Sequence, residues 1–265
     1  MKAAAIQMRC KPGDVSANLE KAERLVKEAA AKGAEWVVLP ELFGSGYTLD
    51  GRDRDFSEHF PDGQICRWAM EIAGKYGLLV TACSLEAEGE AIYDTAFCAT
   101  ADRLLGKYRK VHLWGDEPKR FARGVSLGAP VPCGEWRIGM QICYEVGFPE
   151  GSRLLAMSGA NVLAYMAAFG RARLHVWDIA TRARALENGC YLVAAALSAE
   201  DGGELAFAGH SRVVAPDGSV LAEAGAEDEA VVAELVPEEV VHQRESIPYL
   251  RDLNRELVKN AWSAM

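Results

Sequence analysis

The chain has 265 residues, half of them apolar and a quarter charged, which is enough to bury a sizeable core. Its formal net charge of -9 is spread over mixed acids and bases, without the basic stripe that nucleic acid or an anionic membrane requires. No run approaches the ~20 apolar residues of a membrane span and no cleavable signal opens the chain, so a cytoplasmic protein is expected.

The elements alternate from the start. Residues 2–8 read as a strand and residues 16–32 as a helix, with Ser16 as its cap and Leu19, Ala22, Leu25, Val26 and Ala29 on one face. Gly33 ends that helix, and residues 35–39 form a second strand stopped by Pro40. The pattern predicts a helix over 63–75, a strand over 78–85, and an extended pair over 91–109 that turns at Ala101-Asp102. Residues 137–142 are a strand with Ile138, Met140 and Ile142 on one side. A helix over 149–157, a strand over 161–166 and a helix over 173–188, closed by Gly189, come next. Residues 190–197 are a strand, later strands pair around the turn Pro216-Asp217-Gly218, and a helical tail over 238–259 is interrupted by Pro248. Helices between early strands and a late hairpin predict a layered α/β domain with a mixed sheet, whose ligands gather at strand ends.

Three segments end apolar runs in a single ionisable residue: Leu39-Pro40-Glu41, Tyr108-Arg109-Lys110-Val111-His112, and Ile142-Cys143 at a strand-to-helix break. The seven cysteines lie far apart with no Cys-x-x-Cys pair and are expected as reduced thiols, so context must select a functional one. A free thiol with pKa ~8.5 is only a few per cent ionised at neutral pH and needs a base or a cation beside it. Glu41 is the candidate base and Lys110 the candidate cation. Moving the proton between unperturbed groups is uphill by ~4 pK units, roughly 5–6 kcal/mol. Lys110 in contact would stabilise the thiolate, and burial would raise the proton affinity of Glu41; both narrow the gap. Lys110 and the backbone N–H of Tyr144 would then face the oxyanion of a tetrahedral intermediate. Taken singly, each residue has a plainer role as loop acid, solvated strand end or core thiol. The chemistry requires that all of them meet.

In their order, these segments resemble the nitrilase or carbon–nitrogen hydrolase superfamily. Its marks are a glutamate after a Leu-Pro strand end, a lysine in Tyr-Arg-Lys-x-His, and a cysteine in Cys143-Tyr144-Glu145-Val146-Gly147-Phe148-Pro149-Glu150. The similarity extends to Gln7, Arg184-Ala-Leu-Glu-Asn188, Gly209-His-Ser211 and Pro216-Asp-Gly218. It implies a four-layer αββα sandwich of two mixed sheets flanked by helices. It also implies one domain over 1–265, with the tail from about 237 in the contacts of a homodimer or larger oligomer. Glu41 is implied as general base, Lys110 as electrostatic stabiliser and Cys143 as nucleophile. Glu117, in Trp114-Gly-Asp-Glu117-Pro, is implied beside the lysine to help position substrate. Gly147 departs from the pattern, standing where many relatives carry arginine.

The implied reaction is hydrolysis of a small carboxamide through a thioester on Cys143, with no metal and no organic cofactor. Tyr144 rather than tryptophan after the cysteine favours amides over nitriles. The brief connection between Lys110 and Gly124 favours a small amide over the alternative, an N-carbamoyl amine or amino acid. Tyr47, Trp114, Ala167, Ala168 and Phe169 fall in loops expected to line the pocket. The small, uncharged residues 166–170 suggest an uncharged or slim acyl group.

Other classes fit less well. Gly124-Val-Ser126-Leu-Gly128 matches a serine-hydrolase elbow, but neither an apolar strand before it nor a helix after it is present. The five histidines lack metal-ligand spacing, and Asp14, the acids of 50–55 and those of 227–229 read as solvated loops. A catalytically silent binding subunit would be expected to have lost one of Glu41, Lys110 and Cys143, and all are present.

Overall fold

The computed structural model describes residues 1–198 and 206–263; residues 199–205 and 264–265 of the expected domain lie outside it. In the first sheet, β1 (Lys2–Gln7), β2 (Trp36–Val38) and β3 (Leu79–Glu88) run parallel. Antiparallel strands flank them: β4 (Ala91–Ala99) and β5 (Leu104–Arg109) beyond β3, and β12 (Glu229–Glu234) beyond β1. The second sheet repeats this plan around parallel β7 (Trp136–Ile142), β8 (Val162–Ala167) and β9 (Tyr191–Ala196). Its antiparallel flanks are β6 (Val131–Cys133) on one side and β10 (Arg212–Val214) with β11 (Val220–Glu223) on the other.

The two sheets pack face to face with helices outside them. In the first sheet the period of two sorts side chains between layers. Ala3, Ala5, Trp36 and Val38 join Ile138, Met140 and Ile142 in the core between the sheets. Ala4, Ile6 and Val37 point the other way, against Leu25 and Val26 of α1 (Val15–Ala31) and Ile72 of α3 (Gln64–Tyr76). Both faces are covered, which is why these strands read as continuous apolar runs rather than as alternating ones. Helices α4 (Pro149–Met157) and α5 (Leu174–Asn188) cover the second sheet, and the sulfurs of Cys98 and Met140 meet at 3.6 Å across the inter-sheet layer. This is the αββα sandwich expected. Among the described residues no helix is long and apolar enough to cross a membrane.

Several expectations need correction. Asp14, not Ser16, caps α1: its carboxylate accepts the Ala17 N–H at 3.1 Å, and the helix starts at Val15. Asp53 is buried in the short helix α2 (Asp53–Phe56) and grips Arg120 with both oxygens at 2.8 and 2.5 Å, so it is no solvated loop acid. Asp228 accepts the Arg9 N–H at 2.5 Å and pairs with Lys21 at 2.9 Å, while Glu229 opens β12 against Gln7. Strands β6 and β12 were not expected. In β6 the edge position tolerates Pro132, which has no N–H to give a ladder. The tail divides as foreseen at Pro248, into α6 (Pro237–Ser246), α7 (Tyr249–Asp252) and α8 (Arg255–Ser263).

Candidate active site

The chain ends of β2, β5, β7 and β8 open onto one cleft between the sheets. Pro40 stops β2, and Glu41 follows, fully buried. Its Oε2 accepts the backbone N–H of Ala168, just past β8, at 2.7 Å, so this carboxylate ties one sheet to the other. Lys110 is the first residue after β5; its backbone N–H donates to Asp94 of β4 at 2.9 Å. Its side chain is buried too. Lys110 Nζ donates to Glu41 Oε1 at 2.6 Å, Glu117 Oε1 at 2.9 Å and Asp94 Oδ2 at 3.2 Å, which uses all the protons an ammonium has. Such a ring of carboxylates has the composition of a metal site, but its centre here is the lysine ammonium, in contact with each member.

Glu117 is held in turn. Its Oε1 also accepts from Tyr47 Oη at 2.8 Å and its Oε2 from the Trp114 N–H at 2.7 Å.

Cys143 lies at the break between β7 and a short 3-10 helix, with φ at +48°, a left-handed conformation that costs an L-residue about 1–2 kcal/mol. Glu145 maintains this turn. Its Oε2 accepts the Ile142 N–H at 2.9 Å, and its Oε1 accepts Val111 N–H at 2.9 Å, His112 N–H at 3.1 Å and Tyr108 Oη at 2.6 Å. One buried carboxylate thus links the residue before Cys143 to the residues after Lys110 and sets how far apart thiol and ammonium stand. Arg184 supports the same turn from α5, donating to the Val146 carbonyl at 3.0 Å.

The electrostatics differ from the expectation in one respect. Burial pushes the Cys143 thiol well above its ordinary pKa, the Glu41 and Glu117 charges push it further, and Lys110 opposes this without winning. Lys110 cannot favour the thiolate strongly because its charge is shared among the carboxylates around it. Burial likewise raises Glu41 well above the carboxylate range, with Lys110 pulling it down and Asp94 and Glu117 pushing it up. Burial alone would discharge Lys110, but Glu41, Asp94 and Glu117 outweigh it and keep the ammonium. The resting thiol is therefore protonated; the rise at Glu41 works to narrow the proton gap and the rise at the thiol works to widen it.

A cavity of about 320 Å³ reaches Cys143 and Glu117, with Tyr47, Trp114, Tyr144, Ala168 and Phe169 in its wall. Ala167 is a correction: it is the last residue of β8, wholly buried, and does not line the cavity. Residues 166–170 bring no charge to the cavity, but Arg120 and Arg173 both line it. Ser126 lies elsewhere, in an exposed loop, its hydroxyl accepting the Gly128 N–H at 3.2 Å. Gly124 in that motif is a packing glycine: a Cβ there would lie 2.1 Å from the Arg109 carbonyl. Asp94 and Glu145 were missed. Asp94 is in phase along β4 with Ile92, Ala96 and Cys98, all core residues, and a carboxylate on that parity was a readable signal.

A sandwich of this kind, with a thiol, a carboxyl and an ammonium gathered at its strand ends, defines a nitrilase-type hydrolase. The chain belongs to the carbon–nitrogen hydrolase family, whose sequence model matches residues 2–245. It is 37% identical over 242 residues to a protein of Pyrococcus abyssi named nitrilase, covering 89% of each chain. It is 36% identical over 250 residues to the 2-oxoglutaramate amidase of Bacillus subtilis, covering 92% of this chain and 94% of that one. Among solved structures, a glutamate-to-glutamine mutant of the amidase from Nesterenkonia sp. AN1, carrying acrylamide added at its active-site cysteine, superposes with a TM-score of 0.86. That match has 31% identity and covers 98% of this chain and 99% of the other. The protein is an amidase-like hydrolase of carbon–nitrogen bonds.

Proposed function

We propose that the protein hydrolyses small linear carboxamides to acid and ammonia, with Cys143 as nucleophile, Glu41 as general base and Lys110 as stabiliser of the oxyanion. The observation that carries this reading is that the buried Cys143 thiol stands where the charges of both Glu41 and Lys110 act on it, those two side chains are joined at 2.6 Å, and a cavity opens onto the thiol. Glu41 takes the thiol proton as sulfur adds to the amide carbonyl. The oxyanion forms against Lys110 and the Tyr144 N–H, one of the leading amides of the 3-10 turn that have no partner within it. The C–N bond breaks as Glu41 returns the proton to nitrogen, and ammonia leaves a thioester on sulfur. Glu41 then deprotonates water, which attacks the thioester and releases the acid and the thiol. Glu117 and Asp94 keep Lys110 charged and aimed; Tyr47 and the Trp114 N–H hold Glu117.

Ammonia release from aliphatic, aromatic, carbamoyl and dicarboxylic monoamides, with nitriles as controls, tests the reading. Turnover of small amides is expected, with an acyl adduct on Cys143 in the intact mass. Turnover of nitriles alone would sink it.

The charges around Glu41 provide a second test. Lys110, Asp94, Glu117 and Cys143 all face it, and the Asp94 charge raises its pKa. The base acts as carboxylate, so kcat/KM rises with pH through the Glu41 titration. Asp94→Asn removes a raising charge, and the acid limb is expected to move to lower pH. A pH–rate profile that stays in place or moves upward contradicts the assignment of Glu41.

A further inference from the structure

We propose that Arg173, assisted by Arg120, forms an anion subsite in the cavity wall and selects amides whose acyl chain carries a carboxylate at its far end. This rests on the amidase reading and names its substrate class. Both arginines line the same cavity as Cys143. Arg173 has no acidic partner among the described residues. Its guanidinium lies instead over the Trp114 ring, 4.4 Å from the centroid, and 5.8 Å from that of Phe169. Stacking on an aromatic face fixes the plane of a guanidinium and leaves its N–H edge free for a bidentate acceptor.

The loop makes room for this placement. Arg173 ends a short 3-10 turn, its backbone N–H donating to the Gly170 carbonyl at 2.9 Å. A Cβ on Gly170 would lie 2.8 Å from Arg173 Nη2. Arg120 adds a second donor. Its Nε and Nη2 are taken by Asp53, while Nη1 is buried without a partner among the described residues. An unsatisfied buried donor at a cavity wall calls for an acceptor that arrives with a ligand. The acids of the wall do not cancel this charge: Glu117 is committed to Lys110, Tyr47 and the Trp114 N–H, and Asp116 pairs with Lys119 at 2.7 Å. A carboxylate satisfies the open positions that a neutral amide chain leaves unmet.

The test compares kcat/KM for glutaramate and succinamate with butyramide, in the wild type and in Arg173→Gln and Arg173→Lys. The wild type is expected to favour the anionic amides. Arg173→Gln collapses that ratio about 10- to 100-fold, the range of one charge-assisted hydrogen-bonded pair, chiefly through KM. Arg173→Lys restores part of it, and added salt narrows it. Equal wild-type use of butyramide, or a loss in Arg173→Gln shared by both amide types, overturns the subsite. A measurement independent of turnover accompanies these: glutarate should protect wild-type Cys143 from iodoacetamide at concentrations where butyrate does not, and equal protection also overturns it. Amide turnover without charge preference leaves the amidase reading standing and removes this inference. Glutarate protection without turnover of any amide does the reverse.

Discussion

Cys143→Ala abolishes ammonia release from amides, by a factor on the order of 10⁴ or more, because removing a nucleophile that works with its base disables the pair together. What remains is Glu41, Lys110 and a turn built for a tetrahedral centre, with nothing to attack the carbonyl. Stability should change by no more than about 1 kcal/mol, since one buried atom is lost and no hydrogen-bonded partner depends on it for a charge. The turn itself is held by Glu145, which touches the backbone on both sides of the cleft and not the sulfur. Cys143→Gly adds a control. At φ +48° it relieves roughly 1–2 kcal/mol of left-handed strain, against 0.5–1 kcal/mol of added backbone entropy, so it should melt no lower than the alanine variant. Ammonia release and thermal melts read both. Alanine protein that still releases ammonia at the wild-type rate removes the nucleophile from the scheme.

How much of the molecule is legible in the chain follows from where the information sits. Glu41, Lys110 and Cys143 stand out because each ends an apolar run with one ionisable group, a local feature. Their meeting is not local: Lys110 and Glu41 are 69 residues apart in sequence, and only the order β2-β3-β4-β5 brings them to 2.6 Å. Resemblance supplies that step, since spacing alone does not. Asp94 escapes notice although its parity along β4 points inward, because residues 91–109 read as one extended pair until they are sorted by face. Glu145 lies in a recognisable motif, yet its function is to accept N–H groups from a distant loop, which no local pattern shows.

The misreadings share a cause. Strand β12 begins on the last of three consecutive acids, and it is a strand because Glu229 to Glu234 pair with β1, not because of local propensity. Arg173 precedes a helix and Arg120 a loop, where a cation is ordinarily solvated. Their turn into the cavity depends on Trp114 and Asp53, which arrive from other parts of the chain. Which ionisable residues stand at strand ends is thus readable in advance, whereas the charge of the pocket wall is a tertiary property.

Lys110→Met is the substitution expected to damage both stability and rate. It leaves Glu41, Asp94 and Glu117 buried with one oxygen each inside a 4.8 Å cluster and no cation among them. Breaking a buried ion pair from one side costs about 3–5 kcal/mol, or a Tm lower by about 6–20 °C at 2–4 °C per kcal/mol for a chain of this size. The pH dependence has a definite sign. The Lys110 charge lowers the Glu41 pKa, so its loss lifts a folded-state value already raised by burial still further above the unfolded one. A group raised in the folded state favours folding while it is protonated and opposes it as pH climbs through the folded pKa. The Tm deficit against wild type should therefore shrink from pH 8 to pH 5. Turnover should fall by at least 10²–10³-fold, the usual loss on removing one electrostatic stabiliser of a developing oxyanion. Lys110→Arg does not restore it, because a planar guanidinium cannot replace a compact ammonium in a fully buried site whose acceptors converge on one point. A methionine variant that melts like the wild type at pH 8 shows that the three carboxylates do not need the lysine, and the ammonium then loses its place as the centre that holds the site together.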